Sequence, residues 1–165
     1  MTSTTTPDTH EIDADSWLNT PHPITLASRR GKVVLLHAFQ MLCPGCVLHG
    51  IPQAQNVHRA FADQGVQVIG LHSVFEHHAV MTRAALEVFV HEFRLTFPIA
   101  IDRPGGPGQP IPLTMRAYGL RGTPSVVLLD RAGRARLNHF GQISDLELGA
   151  QIGSLLAEHG GSVTG

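Results

Sequence analysis

The stretch Lys32-Val33-Val34-Leu35-Leu36-His37-Ala38-Phe39, followed three residues later by Cys43-Pro44-Gly45-Cys46, decides how the chain is read. Its first part is an almost continuous apolar run. The length and the β-branched content predict a strand buried on both faces of a sheet. Val47 to Asp63 then reads as a helix, with Val57, Ala60 and Phe61 apolar and Pro52 kinking or restarting it. The two cysteines therefore stand at a strand-to-helix junction.

That junction suits disulfide chemistry. Only a thiolate attacks a disulfide, and the unpaired N–H groups and macrodipole of a helix start favour negative charge. Cys43 is expected to be exposed at the carboxyl end of a central strand. Cys46, almost one turn on, should lie behind it within reach of a disulfide. Pro44 tolerates a first helical turn, where its missing N–H is no loss. A zinc half-site with His49 as third ligand competes, but no second Cys-x-x-Cys or compact His pair completes it. A chance pair of cysteines is the other alternative.

Working outward, Gly65 ends the helix and Val66 to Val74 is a second strand. Residues 78–94 form a second helix, with Val80, Ala84, Val88 and Phe89 at helical spacing. Phe97 to Ile101 is a third strand, and Arg103 to Pro112 is a loop by its prolines and glycines. A short helix around Leu113–Tyr118 leads to Thr123-Pro124. Ser125–Leu129 and Arg134–Phe140 form a hairpin about Ala132-Gly133, and Ile143–Leu156 is the last helix. Upstream, a short strand is expected at Ile24–Leu26. The fold class is α/β: a mixed sheet with helices on both faces and a C-terminal antiparallel hairpin. Residues 1–15 are expected to be a disordered tail, and 16–160 one domain.

The totals narrow the function. At 165 residues the chain can bury a sizeable core, and 42% hydrophobic with 15% charged residues suits a soluble globular protein. Net charge is −1, which gives no reason to expect nucleic acid or an anionic membrane as partner. No basic start precedes an apolar stretch, and no apolar run approaches the ~20 residues that span a bilayer. A cytoplasmic location is expected on that basis. In a reducing compartment two cysteines three positions apart should cycle, or bind metal, rather than staple the fold.

The segment Gly31 to Leu36 with Cys43-Pro44-Gly45-Cys46 resembles the active-site region of thioredoxin-like redoxins, the superfamily of thiol–disulfide oxidoreductases that includes cytochrome-maturation and peroxiredoxin-like members. Tyr118-Gly119-Leu120-Arg121-Gly122-Thr123-Pro124-Ser125-Val126-Val127-Leu128-Leu129-Asp130, then Gly133, is similar to their later segment. The likeness covers residues 17–158. It implies a thioredoxin-like fold, a cis bond at Thr123–Pro124, and a substrate strand paired beside that proline, with Pro44 and Gly45 lining the same groove. Four positions depart from the pattern. Leu42 replaces a Trp, Pro44-Gly45 reverses thioredoxin's Gly-Pro, Pro52 lies one residue further from Cys46, and His37 replaces a buried Asp. An imidazole titrates nearer neutral pH and could move protons for Cys46; a core histidine bonded to backbone is the alternative.

A second cluster, Glu76-His77-His78, follows the second strand, with His72 inside it. Parallel strands share an orientation, so these residues and Asp102 are expected at the same sheet edge as Cys43, where they could bind metal, orient substrate or tune the thiolate. Helix capping and a solvated turn are the alternative. The leading function is a thiol–disulfide oxidoreductase with Cys43 as nucleophile, Cys46 resolving, and no cofactor or metal beyond their disulfide. Its partners are a disulfide-containing protein or small molecule, and a reductase or low-molecular-weight thiol as electron donor. A peroxiredoxin-like antioxidant peroxidase, with Arg121 beside a peroxidatic Cys43, lacks the Pro-x-x-x-Thr/Ser-x-x-Cys pattern. A metal-binding or redox-sensor module is the third reading.

Overall fold

The computed structural model describes residues 9–158. Six strands form one sheet in the order β1 (Ala14–Leu18), β4 (Ile99–Asp102), β3 (Val66–His72), β2 (Val33–Phe39), β5 (Ser125–Leu129), β6 (Ala135–Phe140). β2, β3 and β4 run parallel, whereas β1, β5 and β6 pair antiparallel to their neighbours. All seven residues of β2 are buried, His37 among them, as its almost continuous apolar sequence requires of a strand covered on both faces.

Alternation along the strands divides the core in two. Val33, Leu35 and Phe39 face helices α1 (Ile51–Phe61), α2 (Arg83–Glu92) and α4 (Asp145–Ala157) through Ile51, Val57, Leu86 and Leu148. Val34, Leu36 and Ala38 face the short α3 (Leu113–Ala117) and the irregular segment carrying Ile24 and Leu26. Helices cover both faces, very unequally.

Three expectations are corrected. The segment from Thr9 to Asp15 is docked, not free: Ala14 begins β1, Asp13 pairs with Arg103 at 2.7 Å, and the Glu11 carboxylate accepts from the Leu26 and Ala27 N–H groups. Residues 1–8 of the expected tail, and 159–160 of the expected domain, lie outside the described residues. Ile24 and Leu26 are buried and Thr25 between them is exposed, but the segment is not a strand; the first strand is β1, whose weakly apolar sequence carries no period-2 signal and which is fixed by pairing with β4. The second helix begins at Arg83, not residue 78, because the Thr82 hydroxyl caps it by accepting from the Ala85 N–H. Val80 and Val88 are consequently exposed, and Leu86 and Val90 are the residues that enter the core.

Candidate active site

β2 ends at Phe39, and a tight turn, in which the Cys43 N–H donates to the Gln40 carbonyl at 3.1 Å, sets Cys43 at the mouth of a helix. Its carbonyl accepts from Val47 N–H at 3.0 Å, and Pro44 and Gly45 are the first helical residues. Cys46–Gly50 is a π turn closed by Ile51 N–H to the Cys46 carbonyl, and α1 resumes from Ile51 with Pro52 in its first turn. A π turn holds one more residue than an α turn. It absorbs the single extra residue between Cys46 and the helix proline.

The two thiols are in unlike surroundings. Cys43 is half-buried and its thiol donates to the Thr123 carbonyl at 3.5 Å. Cys46 has no exposed surface. Burial, then its hydrogen bond with the Cys43 thiol, pushes the Cys46 thiol up to about 12, while the Gln40 backbone and the Thr123 hydroxyl pull the other way. The Thr123–Pro124 peptide bond is cis. Pro124 closes over the helix start so tightly that a Cβ on Gly45 would lie 3.3 Å from its Cδ.

Beneath this pair lies His37. Its ring fits because residue 50 is glycine: a Cβ there would come within 2.6 Å of the imidazole Cε1 and 3.2 Å of Pro124 Cβ. Burial pulls His37 down to about 4, and its Nε2 has no hydrogen-bond partner among the described residues. The expectation that this imidazole titrates near neutral pH is thus corrected; it is uncharged there. It lines a cleft of about 440 Å³ together with Leu48, Pro124, Gly141 and Ser144. His72, also buried and pulled down to about 4, accepts the Met41 N–H on Nε2 at 3.2 Å, which puts its proton on Nδ1. That bond ties the turn before Cys43 to β3.

Gln40 and Gly50 are site residues that sequence reasoning passes over. Gln40 is fully buried between the Phe75 N–H and the Thr123 hydroxyl. A polar side chain just beyond an almost wholly apolar strand was the available signal.

The structure brings Cys43, Cys46, Gly45, Thr123, Pro124 and His37 together. Glu76, His77 and His78 are exposed; among the described residues no hydrogen bond or ion pair joins them to the cysteines, and His78 borders a cleft with Pro104 and Pro110. Asp102 is buried, accepting from the Thr114 and Met115 N–H groups and the Ser73 hydroxyl, so it caps α3 and locks it to β3. Burial nevertheless raises its pKa. Arg121 lies over the Phe140 ring at 5.4 Å. Among the described residues no group of three His, Cys, Asp or Glu could hold a metal, so a zinc site on the cysteine pair lacks its further ligands.

The redoxin family model matches residues 3–149. The chain belongs to the redoxin family. Over 93% of this redoxin and 98% of the other chain, it superposes with a TM-score of 0.88 and 54% identity on a structure described as a thiol-disulfide isomerase from Corynebacterium glutamicum. The fold is thioredoxin-like. DipZ of Mycobacterium tuberculosis is 32% identical over 140 residues, 84% of this chain but 19% of DipZ. The thiol-disulfide oxidoreductase ResA of Halalkalibacterium halodurans is 27% identical over 122 residues, covering 74% of this chain and 61% of ResA. The redoxin thus spans about a fifth of DipZ and under two thirds of ResA.

These relatives overturn the expected cytoplasmic location. ResA and DipZ are membrane-anchored extracytoplasmic proteins, so the argument from a missing leader does not hold. Among the described residues no helix is long and apolar enough to cross a membrane. With the reducing compartment gone as a premise, the case for a cycling cysteine pair rests on the strand-to-helix junction itself.

Proposed function

We propose that this redoxin is a thiol–disulfide oxidoreductase whose redox centre is the Cys43–Cys46 pair. The observation that carries it is the contrast within the pair: an accessible Cys43 at the helix mouth, against the Thr123 carbonyl, and a wholly buried Cys46 one turn behind. The accessible sulfur attacks first. Cys43, as thiolate, displaces one sulfur of a substrate disulfide, which leaves as a thiolate and takes a proton from water. Cys46 then loses its proton and attacks Cys43, forming the Cys43–Cys46 bond and releasing the second substrate sulfur. Two electrons pass to the substrate, and the pair is left oxidised. Run backwards, the same steps oxidise a dithiol.

Gly45 and Pro124, in near contact, form with Thr123 and Pro44 the wall against which a substrate strand would lie, and need no cofactor. The substrate class is a disulfide-bearing protein or small molecule, and the electron donor a reductase or low-molecular-weight thiol. His37 is part of this site as a neutral wall under Gly50 and Pro124. Burial shifts Cys46 upward and His37 downward, so a proton passed from thiol to imidazole would run uphill. The peroxidase reading is not favoured, since Arg121 is engaged with Phe140.

The test is an equilibrium redox titration in glutathione buffers, read by thiol trapping and mass. A reversible two-electron disulfide near about −270 mV marks a reductase, and one above about −200 mV an oxidase or isomerase. Failure to form a Cys43–Cys46 disulfide at any poise overturns the proposal.

A further inference from the structure

We propose that Arg121, held against the Phe140 ring, is a specificity-determining residue that favours disulfide substrates carrying a carboxylate close to the attacked cysteine. The inference rests on the reading of Cys43 as the attacking sulfur, with Thr123 and Pro124 as the wall for its substrate. It goes beyond that reading by naming what the substrate carries.

The order Arg121-Gly122-Thr123-Pro124 places this arginine two residues before the carbonyl against which the Cys43 thiol rests. The surrounding backbone is pinned. The Ser125 hydroxyl donates to the Gly122 carbonyl at 2.7 Å. Phe140 is paired with Ser125 across the β5–β6 hairpin, and the next N–H, of Gly141, donates to the Pro124 carbonyl at 2.8 Å. Phe140 lies over Gly122 so closely that a Cβ there would come within 2.7 Å of its Cε2 and 3.0 Å of its Cζ. The absence of a side chain at residue 122 is what admits the ring. Phe140 stays 46% exposed, and the Arg121 guanidinium lies over the ring, 5.4 Å from its centroid. A cation above an aromatic face is attracted by the ring quadrupole. The stack therefore holds a positive charge beside the substrate wall without neutralising it.

That charge has no carboxylate of its own. Arg83, Arg103, Arg134 and Arg136 each pair with an Asp or Glu. Among the described residues no ion pair or hydrogen bond engages the Arg121 side chain; its contact is the ring. Asp145, the carboxylate that lines the cleft beside Pro124, accepts instead from Gln53 Nε2 at 2.8 Å. A guanidinium stacked through its face keeps its N–H groups, which lie in its plane, for a planar two-oxygen acceptor. A carboxylate is that acceptor, and both substrate classes proposed above can carry one: on acidic side chains or the chain terminus of a protein, or on a small thiol compound. Two residues of extended chain span about 7 Å. A substrate strand lying along Thr123 and Pro124, with its cysteine at Cys43, thus brings a carboxylate one or two residues away within range of Arg121.

The experiment mixes reduced protein with capped pentapeptides Xaa-Gly-Cys-Gly-Xaa, with Glu, Gln or Lys at both Xaa positions and the cysteine activated as its pyridyl disulfide. Attack by the Cys43 thiolate on the peptide sulfur forms the Cys43–peptide disulfide and breaks the bond to the pyridyl sulfur. The neutral thiopyridone released is followed in a stopped-flow instrument. Each rate constant is divided by that of the same peptide with mercaptoethanol, which removes differences intrinsic to the peptide. At low ionic strength the Glu peptide is expected to react about threefold faster than the Gln peptide, and the Lys peptide slower than either. The Glu-to-Gln ratio should fall to about one in Arg121→Gln, and likewise at about 1 M salt, where screening acts within about 3 Å. Arg121→Lys, which keeps the charge but loses the planar fork, should retain part of the preference. Arg116→Gln removes an exposed arginine from α3 with the same change in net charge, and should retain all of it. Equal rates for the three peptides in the wild type, a preference kept in full by Arg121→Gln, or one lost equally in Arg116→Gln overturns the role of Arg121. Absence of thiopyridone release from every peptide overturns the reading of Cys43 as the attacking sulfur, and this role with it.

Discussion

Lowering the pH from 7 to 5 should cost this redoxin a large part of its stability, through two histidines. His37 and His72 are both buried and fall from 6.5 to about 4 on folding. Between those values the unfolded chain binds protons that the native state refuses. Stability is therefore fully present above pH 6.5 and is lost as the pH falls toward 4. Each tenfold difference in proton affinity between the folded and unfolded chain is worth about 1.4 kcal/mol. Each histidine thus forfeits about 2 kcal/mol between pH 7 and pH 5, or about 4 kcal/mol together. Domains of this size have only about 5–15 kcal/mol to lose. The carboxylates act elsewhere on the scale: Asp130 and Glu158, held low by their bonds to Arg134 and Arg136, keep their full contribution at pH 5–7 and lose it only as the pH falls through the carboxylate range, and Asp102, pushed up by burial, works in the opposite sense. The assay is urea unfolding of the reduced protein at constant ionic strength and several pH values. His37→Leu gives the internal control, since the Nε2 it removes has no partner to lose, and it should abolish about half of the drop. A change below about 1 kcal/mol between pH 7 and 5, or a full drop retained in His37→Leu, would refute the reasoning.

Two further outcomes follow from contacts described above. Gly50→Ala forces a methyl group to within 2.6 Å of the His37 ring and should destabilise by about 1–3 kcal/mol in urea unfolding, with a slower Cys46 step because the π turn must shift. Asp102→Ala strands the Thr114 and Met115 N–H groups and the Ser73 hydroxyl; a loss of about 3 kcal/mol is expected by the same assay, with the rate at which Cys43 attacks Ellman's disulfide unchanged.

Much of the fold is legible in the sequence because its signals are local. The apolar run of β2, the hairpin about Gly133, and the cysteines between strand and helix can each be read within a dozen residues. The capping box of α4, Ser144 with Glu147, is equally local, yet apolar content outweighs the cap and places the expected start two residues early, at Ile143. The same preference displaces α2, expected from residue 78 so as to take in Val80, whereas Thr82 marks its start. β1 escapes for a different reason: an edge strand with one paired neighbour needs no apolar alternation, and its partner lies some eighty residues away.

At the site, residue types come from the sequence and their states from the fold. The amino-acid order alone determined that two cysteines would be spaced almost one turn apart at a helix start, with a Thr-Pro loop later in the chain. Tertiary structure decided which thiol is accessible, that His37 is uncharged, that His72 holds the Met41 amide, and that Gln40 reaches Thr123 across 83 residues of sequence. It also left Glu76, His77 and His78 in solvent despite their place after a central strand. The physical reason is the same throughout. Spacing and turn chemistry act over a few residues and are written in order along the chain, whereas desolvation and the pairing of buried donors with acceptors depend on what distant segments bring to the same point.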